Sequence, residues 1–189
     1  MKRYPKYKDS GISWLGQIPE HWEIGKINEL FVERREKCSD KEYQPLSVSK
    51  QGVTLQLETA VKTDNGDNRK KVLIGDFVVN SRSDRKGSCG VSELDGSVSL
   101  INIVLQVRNR LLPQYVHYLM RTNDYIEEFY RWGRGIFADL WTTRFCDMKN
   151  IYLPVPSQAE QQKIVEFLDS KISKINSYVL ERERVTSLN

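Results

Sequence analysis

Asp76 stands eight residues before Asp84 in the run Asp84-Arg85-Lys86. Two carboxylates followed by a lysine imitate the metal site of many nucleases, where the acids hold Mg2+ and the lysine steadies developing charge. Here the spacing is short, and Ser83-Asp84-Arg85-Lys86 reads as a loop rather than a buried strand end. A metal-dependent nuclease is therefore the lesser reading. The same stretch suits recognition better, since Asn80, Ser81, Arg82, Arg85, Lys86 and Ser88 fall within nine residues. Arg and Lys can pair with phosphate or with guanine O6 and N7. Asn can bond adenine at N6 and N7, and small side chains let the backbone approach closely. Arg131, Arg134 and Arg144, interleaved with Trp132, Phe137 and Trp141, offer a second edge of this kind. The plainer reading of both is a solvated loop beside an aromatic packing cluster.

Other chemistry is missing from the sequence. The eleven glycines form no GxGxxG and no GxxxxGK, so a phosphate-cradling turn is not expected. No Asn-Pro-Pro or Asp-Pro-Pro, GxSxG or HExxH occurs. Cys38, Cys89 and Cys146 are far apart, no CxxC exists, and the histidines are His21 and His117. That set cannot make a paired-ligand zinc site, and reduced cytosolic thiols are expected. The chain reads as a protein without catalysis, metal or cofactor of its own.

The elements that must position these residues are short until the last one. Tyr4, Tyr7, Trp14, Pro19 and Trp22 suggest an irregular aromatic arm. Trp22, Ile24, Ile27, Leu30 and Phe31 recur at helical spacing and predict a helix over 22–38. Weak alternation over 44–62 predicts short strands, and Asn65-Gly66 a hairpin turn within 62–69. Two strands should flank Gly75-Asp76, with a polar basic loop over 82–88. Ile101, Ile103, Leu105 and Val107 alternate strictly and predict a strand buried on one face. Pro113 can open a helix at no hydrogen-bond cost. Thr122-Asn-Asp can cap a second helix that ends near Gly133 and Gly135. Residues 136–147 read as an aromatic loop, and 150–154 as a last strand.

Ser157-Gln-Ala-Glu160 is a capping box. Behind it Val165, Leu168, Ile172, Ile175 and Val179 recur at spacings of three and four, an a/d seam, with Gln161 and Arg182 continuing the d positions. Residues 158–185 would make a helix ~42 Å long. Either it lies on its own core, or it projects as a coiled-coil helix that needs a partner.

The chain has 189 residues, 39% hydrophobic and 29% charged, which suits one globular domain with an appendage. Lys and Arg number 29 against 25 acids, a net charge of +4. Residues 157–189 are neutral, so the excess lies before them. No apolar run could span a bilayer, and the basic start has no apolar stretch behind it. A cytoplasmic protein that does not enter membranes is expected.

Tyr7-Lys-Asp-Ser-Gly-Ile-Ser-Trp-Leu-Gly-Gln-Ile-Pro-Glu-His-Trp22 resembles the start of the specificity (S, HsdS) subunits of type I restriction–modification systems. Leu153-Pro-Val-Pro-Ser-Gln-Ala-Glu-Gln-Gln-Lys-Ile-Val-Glu-Phe-Leu-Asp169 resembles that family's junction between a target recognition domain and a helix. Gly75-Asp76, Asn80-Ser81-Arg82, Gly96-Ser97 and the glycines at 133–135 are similar to its middle. The resemblance implies an α+β target recognition domain over 1–156, with a mixed sheet and flanking helices, and a dimerisation and spacer helix over 157–189. It further implies sequence-specific binding of double-stranded DNA from the major groove, with no catalysis in this chain. Methyltransferase (M) and restriction (R) subunits would be partners, bringing S-adenosylmethionine for adenine methylation and Mg-ATP for restriction. The family carries two recognition domains and two helices, and one of each is present here, so the chain reads as a half-length form. Val165, Leu168, Ile172, Ile175 and Val179 would then build an antiparallel homodimer, with half-sites about one DNA turn apart and a palindromic split target. The alternative within DNA binding is a stand-alone dimeric regulator.

Overall fold

Runs of β-branched and aromatic residues broken by Gly, Asp and Asn fold here into strands of two to six residues. The computed structural model describes residues 4–57, 66–135 and 141–186. β1 (Tyr7–Asp9) and β2 (Gln17–Pro19) pair as a hairpin, so the aromatic arm is more regular than its composition suggests. β3 (Glu23–Lys26), a single helical turn α1 (Ile27–Leu30), β4 (Phe31–Glu33) and β5 (Lys37–Cys38) follow. β6 (Leu46–Ser49) and β7 (Gly52–Leu55) form a second hairpin. Then come β8 (Arg69–Val72), β9 (Phe77–Asn80), β10 (Cys89–Val91), β11 (Gly96–Val98) and β12 (Asn102–Val107). The chain closes with α2 (Pro113–Leu119), α3 (Asn123–Arg131), α4 (Phe145–Met148), β13 (Tyr152–Val155) and α5 (Gln158–Thr186).

The central sheet is antiparallel in the order β10-β9-β12-β4. Its two inner strands are apolar on both faces. Phe77, Val79, Ile103 and Leu105 join Phe31, Tyr115, Val116, Tyr125 and Phe129 in the larger core. Val78 and Val104 point the other way, against Leu46, Val72 and Val98. The alternation over 101–107 therefore marks only one of two buried faces. The strand expected there forms as β12, but it is buried on both faces rather than one, because β6, β8 and β11 cover the second face.

The helix expected over 22–38 is also wrong. β3 pairs with β13, Ile24 opposite Pro154, and β4 pairs with β12, Phe31 opposite Val107. Helical spacing of Ile27, Leu30 and Phe31 arises from one turn joining two strands, all three side chains being buried. Of the hairpin expected at 62–69, residues 62–65 lie outside the described residues, as do 136–140 of the aromatic loop. The strands flanking Gly75 are β8 and β9, which enter different sheets, and Gly75 makes the turn with φ +90°. Pro113 opens α2, and the Thr122 hydroxyl caps α3 by accepting from Tyr125 N–H at 3.3 Å.

Asp76 closes that turn. Its buried carboxylate accepts from Arg34 Nε at 2.7 Å, Arg34 Nη2 at 3.1 Å and Leu73 N–H at 2.9 Å. Burial alone would lower the Arg34 pKa, but the bonds and charge of Asp76 raise it. Removing one partner of a buried pair strands the other, at a cost of about 3–5 kcal/mol. Asp76→Ala should lose stability on that scale in urea titration. A loss under 1 kcal/mol would show the pair to be dispensable.

Candidate nucleic-acid interface

The nuclease-like pattern does not assemble. Asp76 precedes β9 and Asp84 follows it, so roughly 13 Å of strand separates them. Asp76 is committed to Arg34, while Asp84 lies 2.9 Å from Arg82 Nε and 3.8 Å from Arg85 Nε. Among the described residues, no group of three or more His, Cys, Asp or Glu could hold a metal ion.

The basic loop instead forms a ledge on α3. Asn80 N–H donates to Ser88 O at 2.9 Å and closes its base, while Ser83–Arg85 make one turn of 3-10 helix. Asn80 Oδ1 accepts from Arg82 N–H at 3.1 Å, leaving the amide NH2 as its outward donor. Tyr130 donates its hydroxyl to Arg82 O at 3.1 Å, and Lys86 Nζ sits 5.5 Å from the Tyr130 ring centre and 2.5 Å from Glu127. Ser81 and Ser88 are buried, and the Ser81 hydroxyl is spent on Ile101 O at 2.6 Å. These two serines shape the loop and present no side chain to a ligand at the surface.

The two expected edges meet. Thr142 bridges to Arg82 on one side and Arg134 on the other. Thr143 N–H donates to Ser81 O at 2.9 Å, and Ser83 N–H to Trp141 O at 3.1 Å. Arg134 and Arg144 reach the same buried carboxylate, Asp147, at 3.2 and 3.0 Å. Burial opposes ionisation of Asp147, but the bonds from Arg144 and the charges of Arg144 and Arg134 outweigh it and hold the pKa below the usual carboxylate value. Arg131 is exposed and paired with Glu128 at 2.8 Å. The six cations Arg82, Arg85, Lys86, Arg131, Arg134 and Arg144 thus face four acids: Asp84, Glu127, Glu128 and Asp147. The pairs made by Asp84 and Glu127 are exposed on both sides and worth only about 0–1 kcal/mol each, so a polyanion can compete for Arg82, Arg85 and Lys86.

α5 has two parts. Its first turns rest on the body: Val165 is buried with Tyr115 and Val116, and Leu168 is half-buried. From Asp169 onward every described side chain is exposed. The apolar stripe divides accordingly. Val165 belongs to the body's own core, whereas Ile172 (40% exposed), Ile175 (59%) and Val179 (48%) face solvent. The free part, 169–186, is ~27 Å long.

The capping box forms: Ser157 Oγ donates to Glu160 Oε2 at 2.8 Å, and Glu160 N–H to Ser157 Oγ at 3.4 Å. Glu160 also binds His21 Nε2 at 2.7 Å and Trp22 Nε1 at 3.2 Å. Burial would raise its pKa, but the bonds from His21, Ser157 and Trp22 lower it to about 2. A depressed carboxylate pKa stabilises the fold above the unfolded value near 4.5, and that contribution fades as pH falls toward 2. The stability difference between the protein and Glu160→Gln should therefore be full at pH 6 and shrink by pH 2.5. A difference independent of pH would show that the charge is not what matters.

Gln161, which continues the d positions of the seam, is fully buried against the body. Its Oε1 accepts from Leu112 N–H at 2.8 Å, and its Nε2 donates to Arg110 O and Pro156 O, both at 2.9 Å. The available signal was a polar residue at a d position next to a capping box.

No family model matches the chain, and no curated protein matches it. Solved structures do. Over 90% of this chain and 41% of that one, it is similar to the HsdS subunit from Thermoanaerobacter tengcongensis, with a TM-score of 0.58 at 17% identity. A type I R-M system structure, described for its complex assembly and conformational transition, gives 0.58 at 16% identity over 85% of this chain and 40% of that one. The type I restriction–modification S subunit from M. genitalium gives 0.56 at 16% identity over 83% and 40%. The chain thus has the α+β fold of these S subunits and spans about 40% of the length of each structure.

Proposed function

We propose that this chain does the work of a specificity subunit: residues 1–156 recognise double-stranded DNA, and residues 157–189 serve dimerisation and spacing through α5. The observation that carries this is the fold shared with the solved structures over 83–90% of the chain. In support, the one ledge where the two basic edges meet carries Arg82, Arg85, Lys86, Arg134 and Arg144. Guanidinium forks there suit phosphate and guanine edges. Two chains pair through antiparallel α5 helices and direct M and R subunits to a split target. S-adenosylmethionine and Mg-ATP are bound by those partners, and the chain acts in the cytoplasm without catalysing a reaction. No described helix is long and apolar enough to cross a membrane. The stand-alone regulator has no observation of its own in its favour. Mixing the purified protein with a type I M subunit tests the choice. A stable complex that methylates adenine only when this chain is present supports the proposal, and absence of both in every pairing with the M subunit encoded beside it overturns it.

A further inference from the structure

α5 leaves the body as a free rod, yet few apolar contacts hold its root. Val165 is the only fully buried apolar residue of the helix among the described ones, with Ile164 and Leu168 half-buried. Polar attachments flank it on either side. Gln161 is locked into the chain segment before α2 and the strand end before α5 by the three bonds given above. Eight residues further along, ~12 Å up the helix, Tyr118 of α2 donates its hydroxyl to Asp169. That bond to Asp169, with burial and the Asp169 charge behind it, pushes the Tyr118 hydroxyl up to about 12, so it stays a donor across the working pH range.

We infer that Gln161 and Tyr118 are positioning residues that fix the direction in which the long helix leaves the recognition domain, Gln161 as a pin and the Tyr118–Asp169 bond as a brace. Gln161 and Glu160 hold the first turn and the Tyr118–Asp169 bond holds the helix further along, and attachments at two levels define a line where one level would leave a pivot. A swing of ten degrees about the root displaces the far end of the ~27 Å arm by about 5 Å, more than one base-pair step of ~3.4 Å. Fixing the angle therefore fixes the separation of two recognition domains joined through their helices. The consequence for DNA spacing rests on the proposed recognition role, whereas the clamp itself does not.

The test uses spin labels on the native Cys146, which is exposed while Cys38 and Cys89 are buried, and on Lys174→Cys in the free arm. The labelled chain is diluted into unlabelled protein, so that only distances within one chain are read. A single narrow distance distribution is expected, broadening at least twofold in Tyr118→Phe, which removes one surface hydroxyl, and in Gln161→Met, which keeps the shape and removes the three bonds. Unchanged widths in Tyr118→Phe and Gln161→Met would overturn the clamp, and Tyr118→Phe alone decides should Gln161→Met fail to fold. The second readout is selection from duplexes carrying two half-sites at varied separation. One preferred spacer should widen to at least three in Tyr118→Phe, with half-site affinity and thermal midpoint unchanged, which a general loss of stability would not produce. Broadened distances with no split-site selection by the unmodified protein would uphold the clamp and overturn the recognition role instead. Broadened distances with an unchanged spacer preference would overturn the spacing consequence.

Discussion

Ile172→Asp together with Ile175→Asp should convert a dimer into a monomer with a folded recognition domain. Ile172, Ile175 and Val179 continue the stripe that Val165 and Leu168 begin, but the body covers only the first two. Burying an Ile side chain contributes roughly 1.5–3 kcal/mol. A two-fold pair would bury four such isoleucines, and replacing them with charges that lose hydration on pairing weakens association at least a thousandfold. Tyr178 and Leu180, also exposed, widen the apolar surface available to the pair. Light scattering at tens of micromolar checks this. A wild type that is itself monomeric there, with an indistinguishable double mutant, would remove the homodimer from the proposal.

Arg82→Ala and Arg134→Ala should each weaken DNA binding while leaving thermal stability nearly unchanged, because the Arg82–Asp84 pair is exposed and the buried Asp147 keeps its bonds from Arg144 when Arg134 is lost. A guanidinium that reads a guanine edge contributes about 1–3 kcal/mol, and its loss relaxes the site at one position. One that contacts phosphate weakens all sequences alike and flattens the salt dependence by about one unit. Arg82 and Arg134 flank Thr142 on one ledge, so the double mutant should lose at least as much as the two singles together. Equal affinity of wild type and double mutant at 0.1 M salt would remove this ledge from the interface.

What could be read in the sequence was local. The Ser157 capping box, Pro113 at the start of α2, Thr122 capping α3 and the Gly75 turn are each decided by residues within four positions of one another. The β3–α1–β4 segment was illegible for the opposite reason. Its apolar spacing fits a helix, and what makes strands of its two ends is pairing with β13 and β12, more than 70 residues away. Asp76 was misread for the same cause, since its partner Arg34 lies 42 residues back. In the candidate site, the exposed cations could be named from composition. That the two basic edges meet at Thr142, and that Asp147 holds Arg134 and Arg144 together, depends on tertiary contacts that no spacing encodes. Gln161 belongs to the same class, its bonded partners Arg110 and Leu112 lying 51 and 49 residues away.

Methylation mapping by long-read sequencing tests the central claim most directly, in a host carrying this chain and its M subunit but no other S subunit. Two identical recognition domains at the ends of an antiparallel helix pair predict adenine methylation at a palindromic target split by a spacer of fixed length, with half-sites about one DNA turn apart. The pattern should vanish in Ile172→Asp/Ile175→Asp. Methylation at an asymmetric or unsplit site, or none that depends on this chain, would contradict the account.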